Sequence, residues 1–315
     1  MHDDFDIRPY TPVYQPLWDA YVERARNATF LFKRAYMDYH ADRFNDSSLL
    51  FFRDGRLFAL LPAHRVNNTL YSHRGLTYGG LLMDNRVTAA ATCRLFVALN
   101  EWLRQRGFNK VVYKPVPWMY HRLPAEEDLY AIFGTCGAQL TQRSIGTVLC
   151  LQHQPQWRKD HTQRLRRALR SGVTVERQEH MEVFWPLLTQ HLQAKYGAQP
   201  VHSLQEILLL KRRFPQQIVL YTAQRNGSIM GGIVFYVTSQ VLRSQYCATL
   251  ITEGQQWGVT EAIYAQAMQD YAAWPYLDFG TSTEQQGLWL NEGLIAHKEG
   301  YGGRAVCFDT YSWNL

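Results

Sequence analysis

The chain has 315 residues, of which 46% are hydrophobic and 19% are charged, enough for about two globular domains with sizeable cores. Its five cysteines are scattered without a C-x-x-C pair, and its 11 histidines show no H-E-x-x-H spacing. This pattern favours reduced thiols over disulfides or a zinc site, so no metal is expected. The net charge of +6 favours anionic partners such as cofactor phosphates, a nucleotide sugar or RNA, or it serves solubility alone.

No segment for export or membrane insertion is evident. The first ten residues, MHDDFDIRPY, carry acids and lack an apolar stretch of the kind found in secretory signals. No apolar run approaches the roughly 18 residues that a membrane span needs. We therefore expect a cytoplasmic protein without a membrane span, and the sequence indicates no oligomeric state.

A weak internal repeat organises the chain. The hairpin pattern LLFFRDGRLFALL at 49–61 recurs at 218–235 around a second turn, with turn glycines Gly55 and Gly227. Helical patterns begin at Val87-Thr88 and, at the same offset as the glycines, at Val259-Thr260. A short apolar strand follows each helix. The repeat predicts duplicated α/β domains, which we place at 1–150 and 151–315 with the boundary in a polar stretch.

The second half opens on a basic cluster, HTQRLRRALRSGVTV at 161–175. Arg164, Arg167 and Arg170 recur every three residues, which on a helix aligns guanidinium groups that can bind phosphate oxygens. Such a run is also typical of a solvated helix face. Ser171-Gly172 predicts the end of this helix.

A possible phosphate-binding loop precedes the second repeated helix. Gln255-x-x-Gly258-Val259-Thr260 resembles the Q/R-x-x-G-x-G/A loop with which GNAT enzymes hold the pyrophosphate of acetyl-CoA. Unpaired backbone N–H groups and the helix dipole attract phosphate at such a position. Thr260 stands where the family has a small glycine or alanine. The alternative is an ordinary helix N-terminus capped by Thr260.

The C-terminal segment, DFGTSTEQQGLWLNEGLIAHKEGYGGR, carries further candidates. It contains Asp278-Phe279-Gly280 and the run His297-Lys298-Glu299-Gly300-Tyr301-Gly302-Gly303. Glu284 and Glu299 stand beside these motifs and are candidate general bases for deprotonating an attacking amine.

These motifs resemble those of the Fem family, transferases that add amino acids to peptidoglycan precursors. The arginine run is similar to the signature R-x-x-I-R-K-A-x-K-x-G-V, which opens the second domain of those proteins. The C-terminal segment is similar to their Asp-apolar-Gly-Gly turn and to an apolar-K-x-x-F-G-G element. The resemblance implies two tandem GNAT-like domains, each a mixed, mostly antiparallel sheet flanked by helices, with the active site in the C-terminal domain.

The resemblance also implies roles for single residues. Lys298 corresponds to an active-site lysine and would neutralise the developing oxyanion or a donor phosphate. Asp278, in the matched turn, would contact substrate, and Tyr246 would line the acceptor channel. His40, in FLFKRAYMDYHADRF, falls near the family's early lysine that contacts the diphosphate of a nucleotide-linked acceptor.

We therefore expect an N-acyltransferase that moves an acyl group from acyl-CoA, such as acetyl-CoA, to an amine acceptor. That acceptor is expected to bear phosphate, for example in a nucleotide-linked amino sugar or a cell-envelope precursor. The alternatives are an aminoacyl-tRNA-dependent peptidyltransferase, which would bind tRNA, and a non-catalytic GNAT-like binding module.

Overall fold

The computed structural model describes residues 5–153, 156–250 and 253–315. The chain divides into two compact units. The first unit comprises Met1–Ser144, Gln285–Leu288 and Cys307–Leu315, and the second comprises Ile145–Glu284 and Trp289–Val306. The boundary proposed from the sequence, near residue 150, lies a few residues beyond this division. The first unit also contains the last residues of the chain, which the sequence-based division assigned to the second domain.

Short strands and helices alternate through the first half. The strands are β1 (Asp6–Pro9), β2 (Leu49–Arg53), β3 (Arg56–Leu61), β4 (His64–Val66), β5 (Thr69–Tyr71), β6 (Leu82–Met83), β7 (Lys110–Tyr113) and β8 (Gln139–Cys150). The helices are α1 (Gln15–Arg24), α2 (Arg34–Met37), α3 (Ala89–Arg104) and α4 (Glu127–Cys136).

The second half repeats this alternation. Its helices are α5 (Lys159–Arg170), α6 (Trp185–Tyr196), α7 (Leu204–Arg213), α8 (Glu253–Gln256), α9 (Val259–Asp270) and α10 (Glu292–Glu299). Its strands are β9 (Thr174–Gln178), β10 (Ile218–Arg225), β11 (Ser228–Val237), β12 (Val241–Thr249), β13 (Tyr276–Thr281), β14 (Thr283–Glu284), β15 (Trp289–Leu290) and β16 (Arg304–Asn314).

The two predicted hairpins form as expected. Asp54 and Gly55 connect β2 to β3 with φ of 50° and 71°, and Asn226 and Gly227 connect β10 to β11 with φ of 52° and 76°. Positive φ at both central residues matches the right-handed twist of the flanking strands, which is why Asp-Gly and Asn-Gly occur there. The strands on either side are largely buried and antiparallel.

Among the described residues, each unit has a parallel strand pair whose connection includes a long helix. In the first unit the chain runs from β5 through β6 and α3 to β7, and Leu70 of β5 is aligned with Val111 of β7. In the second unit α9 connects β12 to β13, and Leu242 is aligned with Leu277. This arrangement confirms the internal repeat, because each predicted helix carries the chain between two parallel neighbours.

The remaining strand pairings are mostly antiparallel. In the first unit one sheet has the order β1-β2-β3-β6, and a second set of strands has the order β4-β5-β7-β16. The end of β16 pairs with β7, with Trp313 aligned with Val111, which is why the C-terminal residues belong to the first unit. In the second unit the order is β8-β13-β12-β11-β10-β9.

Each unit has its own apolar core. In the first, α3 packs residues such as Leu95 and Phe96 against the sheet beside Trp313. In the second, α9 packs Ile263 and Ala267 against β10, β11 and β13. Among the residues that the structure describes, no helix combines the length and the apolar character required to cross a bilayer.

Buried histidines make the first unit sensitive to acid. His64 and His73 are almost fully buried, and burial, followed by nearby positive charges, lowers the pKa of His64 to about 4 and that of His73 to about 2. In the unfolded chain these histidines bind protons near their usual pKa of about 6.5. Their contribution to the free energy of unfolding is therefore fully present above about pH 6.5 and decreases as the pH falls toward the folded-state pKa values.

We expect His73→Asn to reduce the loss of unfolding free energy at low pH. Asparagine tolerates the left-handed backbone of His73, whose φ is 64°, but has no imidazole to protonate. Between about pH 7 and pH 4.5 the variant should lose about 2 kcal/mol less unfolding free energy than the wild type, as measured by urea titration. Equal losses in both proteins would show that His73 is accessible to protons in the folded state.

Candidate active site

A cavity opens in the second unit where its parallel strands separate. β12 and β13 pair only from Val241 to Arg243, and beyond that point they diverge. A register shift in β12, where Ser244 is aligned with Phe235 and Tyr246 with Val234, bends the strand beside the opening. The cavity has a volume of about 200 Å³ and is lined by Ser244, Gln245, Cys247, Thr260, Tyr264, Phe279, Leu294, His297, Lys298 and Tyr301.

One face of α10 forms a wall of the cavity. Leu294, His297 and Lys298 follow helical spacing, so their side chains lie on the same side, and Tyr301 lies just beyond the end of the helix. The side chain of Asn291 caps the helix by accepting a hydrogen bond from the Leu294 amide at 3.0 Å. The cap fixes where α10 begins.

The Lys298 ammonium is buried and fully hydrogen-bonded. Its Nζ donates to the carbonyl oxygens of Gly280 and Thr281 at 3.0 and 2.7 Å and to Ser282 Oγ at 2.9 Å. Burial lowers the pKa of Lys298 to about 8, partly offset by the negative charge of Asp278. The lysine therefore supplies a fixed positive charge at the cavity wall, and its three N–H donors are all engaged.

Asp278 lies beneath this wall and is fully buried. Its carboxylate forms an ion pair with Arg243 of β12, and its Oδ1 accepts the Gly280 amide at 2.7 Å. The Asp-Phe-Gly turn thus holds β13 against β12 at the point where the strands diverge. Asp278 does not line the cavity; it positions the carbonyls that hold Lys298.

We expect Asp278→Ala to destabilise the fold by about 3–5 kcal/mol, because it leaves the half-buried Arg243 without this carboxylate. Asp309→Ala is the matched control, since its partner Arg143 is half exposed and a pair of that kind contributes about 1 kcal/mol or less. Urea unfolding measures both. Equal losses in the two variants would contradict the structural role of Asp278.

The predicted phosphate loop forms the start of α9. Gly258 is the N-cap residue, with φ of 64°, so the interpretation of Thr260 as the cap is wrong: Thr260 lies inside the helix and lines the cavity. Val259 is buried in the core. Gln255 belongs to α8, and its side chain lies outside the described part of the structure. A Cβ on Gly258 would lie 2.3 Å from the carbonyl oxygen of Arg164, so glycine allows α5 to approach.

A buried cluster connects α5 to the first turn of α9. His161 Nδ1 lies 3.0 Å from Glu261 Oε1, and Arg164 Nη1 donates to the same oxygen at 3.3 Å. Both His161 and Glu261 are almost completely buried. His161 packs against the ring of cavity residue His297, and burial lowers the pKa of His297 to about 4. No local sequence signal indicated the His161–Glu261 pair, because the residues are far apart in the chain.

The other predicted residues lie outside the cavity lining. Arg167 is exposed and donates to the Gln256 carbonyl at 3.1 Å, and Arg170 is exposed at the end of α5. Tyr246 points away from the cavity and contacts His202. Glu284 and Glu299 are both exposed.

His40 belongs to the first unit. It is buried among Phe44, Tyr39 and His73, with Nε2 3.3 Å from the Gly75 carbonyl. Within the described residues, no three His, Cys, Asp or Glu side chains are grouped so that they could hold a metal ion.

Neither a family model nor a curated protein sequence matches the chain. Solved structures do. FemX is 12% identical, with 98% of this chain and 97% of that chain covered and a TM-score of 0.69. L-PGS from Bacillus licheniformis is 13% identical, with 97% and 92% covered and a TM-score of 0.61.

A tandem GNAT protein from the clavulanic acid biosynthesis pathway is 11% identical, with 98% of each chain covered and a TM-score of 0.52. At these identities the likeness is one of fold. It confirms the predicted fold class of two tandem GNAT-like domains, each a mixed, mostly antiparallel sheet with flanking helices. The chain therefore has the tandem GNAT-like fold that FemX also has.

Proposed function

We propose that the chain is an N-acyltransferase that uses an acyl-CoA thioester, such as acetyl-CoA, as donor. The observation that carries this proposal is a small cavity at the divergence of two parallel strands, with the buried Lys298 charge on its wall. Its volume of about 200 Å³ suits a short acyl group and the reacting atoms, while the rest of the donor stays outside.

In the proposed reaction the acceptor amine attacks the acyl carbonyl. A C–N bond forms, the C–S bond breaks, the amine loses one proton and the thiolate leaves as coenzyme A. Negative charge develops on the carbonyl oxygen, and the Lys298 ammonium stabilises it through its field, since its N–H donors are engaged by Gly280, Thr281 and Ser282.

We propose that His297 accepts a hydrogen bond from the attacking amine and orients it, without taking its proton. Its imidazole lines the cavity and is neutral at pH 7, because burial lowers its pKa to about 4. Glu284 and Glu299 remain candidate bases from the sequence. As exposed carboxylates they would receive the proton through water.

For the acceptor we propose an amine that carries phosphate, such as a nucleotide-linked amino sugar or a cell-envelope precursor. Arg167 and Arg170 lie on the exposed face of α5 and could bind its phosphates, whereas Arg164 is committed to Glu261. His40, Tyr246 and Asp278 are buried, so their proposed influence on the acceptor is through the packing of neighbouring residues.

A second candidate function is aminoacyl transfer from tRNA, and the first turn of α9 favours it. Glu261 places a buried carboxylate there, and the Arg164 carbonyl lies against Gly258. The carbonyl oxygen is electron-rich where a pyrophosphate would bind, which opposes coenzyme A, whereas the Glu261 carboxylate is paired with Arg164 and contacts His161. In this reaction the ester C–O bond breaks and the terminal hydroxyl of tRNA leaves.

A thermal-shift titration separates these functions. Acetyl-CoA should raise the melting temperature saturably and more than free coenzyme A does, because only the acyl form fills the cavity. A rise with aminoacyl-tRNA, and none with either coenzyme form, would support the second candidate. No rise with any donor would contradict both functions and favour a binding module without catalytic activity.

A further inference from the structure

His161 is buried where three helices of the second unit meet. It lies near the start of α5 and contacts Glu261 in the first turn of α9 and Gly300 at the end of α10. The side chain is fully buried. It does not line the cavity itself but lies behind the part of the wall that α10 forms.

The Glu261 carboxylate fixes the orientation of the His161 ring. Although burial acts to raise the pKa of Glu261, the contact with His161 and the charge of Arg164 hold that pKa below its ordinary value. The carboxylate is therefore ionised and accepts the Nδ1 hydrogen of His161 at 3.0 Å. Arg164 donates to the same oxygen at 3.3 Å. The ring cannot turn over without losing its hydrogen bond, so Nε2 keeps one direction.

The opposite edge of the ring faces Gly300. Nε2 has no hydrogen-bond partner among the residues that the structure describes, and a Cβ on Gly300 would lie 2.4 Å from it. Gly300 has a φ of −60° and a ψ of −20°, a helical backbone that any residue adopts. Glycine is therefore required at this position for space and not for its backbone freedom. A buried nitrogen without a partner is unusual in a residue that only stabilises a fold.

His161 packs against two residues of the cavity wall. The centre of its ring lies 4.9 Å from that of His297 and 4.3 Å from that of Tyr301. These two residues stand on either side of Gly300 in the chain, so the His161 ring supports the segment that carries both. A displacement of this ring would move the His297 imidazole, whereas Lys298 is held separately by its own three hydrogen bonds.

We propose that His161 is a positioning residue for the transfer site, which holds His297 so that its imidazole meets the attacking amine. This role rests on the proposed function, and His161 itself neither touches the substrate nor takes its proton. A group displaced by about 1 Å loses much of its effect on the rate, because attack requires a defined geometry. Glu261 keeps the His161 ring oriented, and Gly300 leaves room for it.

Gly300→Ala would displace the His161 ring without changing any side chain of the cavity. We expect kcat for transfer from acetyl-CoA to phosphate-bearing amines, phosphoethanolamine and amino-sugar phosphates, to fall about tenfold or more, with KM for the donor within about twofold of the wild-type value. Gly293→Ala is the matched control in α10, since the nearest atom would lie 3.9 Å from its Cβ, and its kcat should not change. Alanine favours a helical backbone at both positions, and urea unfolding verifies that each variant folds.

His297→Phe tests whether the effect passes through His297. Phenylalanine keeps an aromatic ring in the cavity wall but has no nitrogen to meet the amine. In this background Gly300→Ala should lower kcat no further, whereas a general loosening of the site would lower it again. His161→Ser removes the ring and should lower kcat by a similar factor, and the addition of Gly300→Ala to it should have no further effect.

Failure of the proposed function and failure of the role of His161 are distinguishable. Absence of transfer by the wild type, with either acetyl-CoA or aminoacyl-tRNA as donor, overturns both. Transfer by the wild type that Gly300→Ala or His161→Ser leaves unchanged overturns the role of His161 alone. That role is also overturned if Gly300→Ala and Gly293→Ala have equal effects, or if Gly300→Ala lowers kcat as much in His297→Phe as in the wild type.

Discussion

Replacement of Lys298 with Met is expected to lower kcat for acyl transfer by about 10²–10³-fold, while the protein still folds. Met fills a similar volume but removes the positive charge from the wall of the cavity. The loss is of the size found when one group that stabilises an oxyanion is removed. Single-turnover transfer from acetyl-CoA to an amine acceptor measures it, and circular dichroism verifies the fold.

Lys298→Arg and the pH profile provide the control. Because burial lowers the pKa of Lys298 to about 8, the wild-type lysine loses its charge as pH rises through that value, and the rate should fall there. Arginine stays charged throughout this range, so Lys298→Arg should keep part of the activity and lose the alkaline decline. Full activity in Lys298→Met would mean that the charge takes no part in transfer.

Gly258→Ala is expected to destabilise the protein by about 3 kcal/mol or more. An alanine there would hold a left-handed backbone, which costs about 1–2 kcal/mol, and its Cβ would meet the Arg164 carbonyl oxygen at 2.3 Å. The backbone of α5 cannot yield as the tip of a flexible side chain could. The helices must therefore separate, which would also disturb the contact of Arg164 with Glu261. Urea unfolding measures the loss.

Gly227→Ala separates the cost of the left-handed backbone from the cost of the contact between a Cβ at position 258 and the Arg164 carbonyl oxygen. Gly227 has a φ of 76°, close to that of Gly258, but no atom lies within 4 Å of the position that a Cβ would occupy there. Only the backbone cost of about 1–2 kcal/mol should appear. If both variants lose the same stability, the close approach of α5 to Gly258 is not what requires glycine.

Short-range patterns predicted much of the fold. The turn pairs at Gly55 and Gly227 and the helices that begin near Thr88 and Val259 are set by local backbone preferences and apolar periodicity, which the sequence displays directly. No local pattern predicts that the last strand belongs to the first unit, because the pairing of Trp313 with Val111 depends on contacts between distant parts of the chain.

The site was predictable to a lesser degree. The motif around Lys298 drew attention to α10, and that helix does line the cavity with Lys298. The contact of His161 with Glu261 arises only when α5 and α9 pack together. Thr260 was misinterpreted as a cap because the left-handed Gly258 starts α9 two residues earlier. A threonine hydroxyl near the start of a helix does not show which residue adopts the backbone conformation of the N-cap.

Labelling of Cys247 tests most directly whether the cavity of the second unit receives the acyl group. Cys247 lines that cavity and is exposed, and Cys307 is exposed but does not line it, so one protein contains both probe and control. Desolvation in the cavity raises the pKa of the Cys247 thiol to about 12, so its labelling by iodoacetamide at about pH 8.5 is slow, and peptide mass spectrometry over a long time course compares the rate of each cysteine with and without donor. Saturating acetyl-CoA, or aminoacyl-tRNA for the second candidate, should slow labelling of Cys247 several-fold and leave Cys307 unchanged. Unchanged labelling of Cys247 with both donors would contradict the assignment of this cavity to acyl transfer.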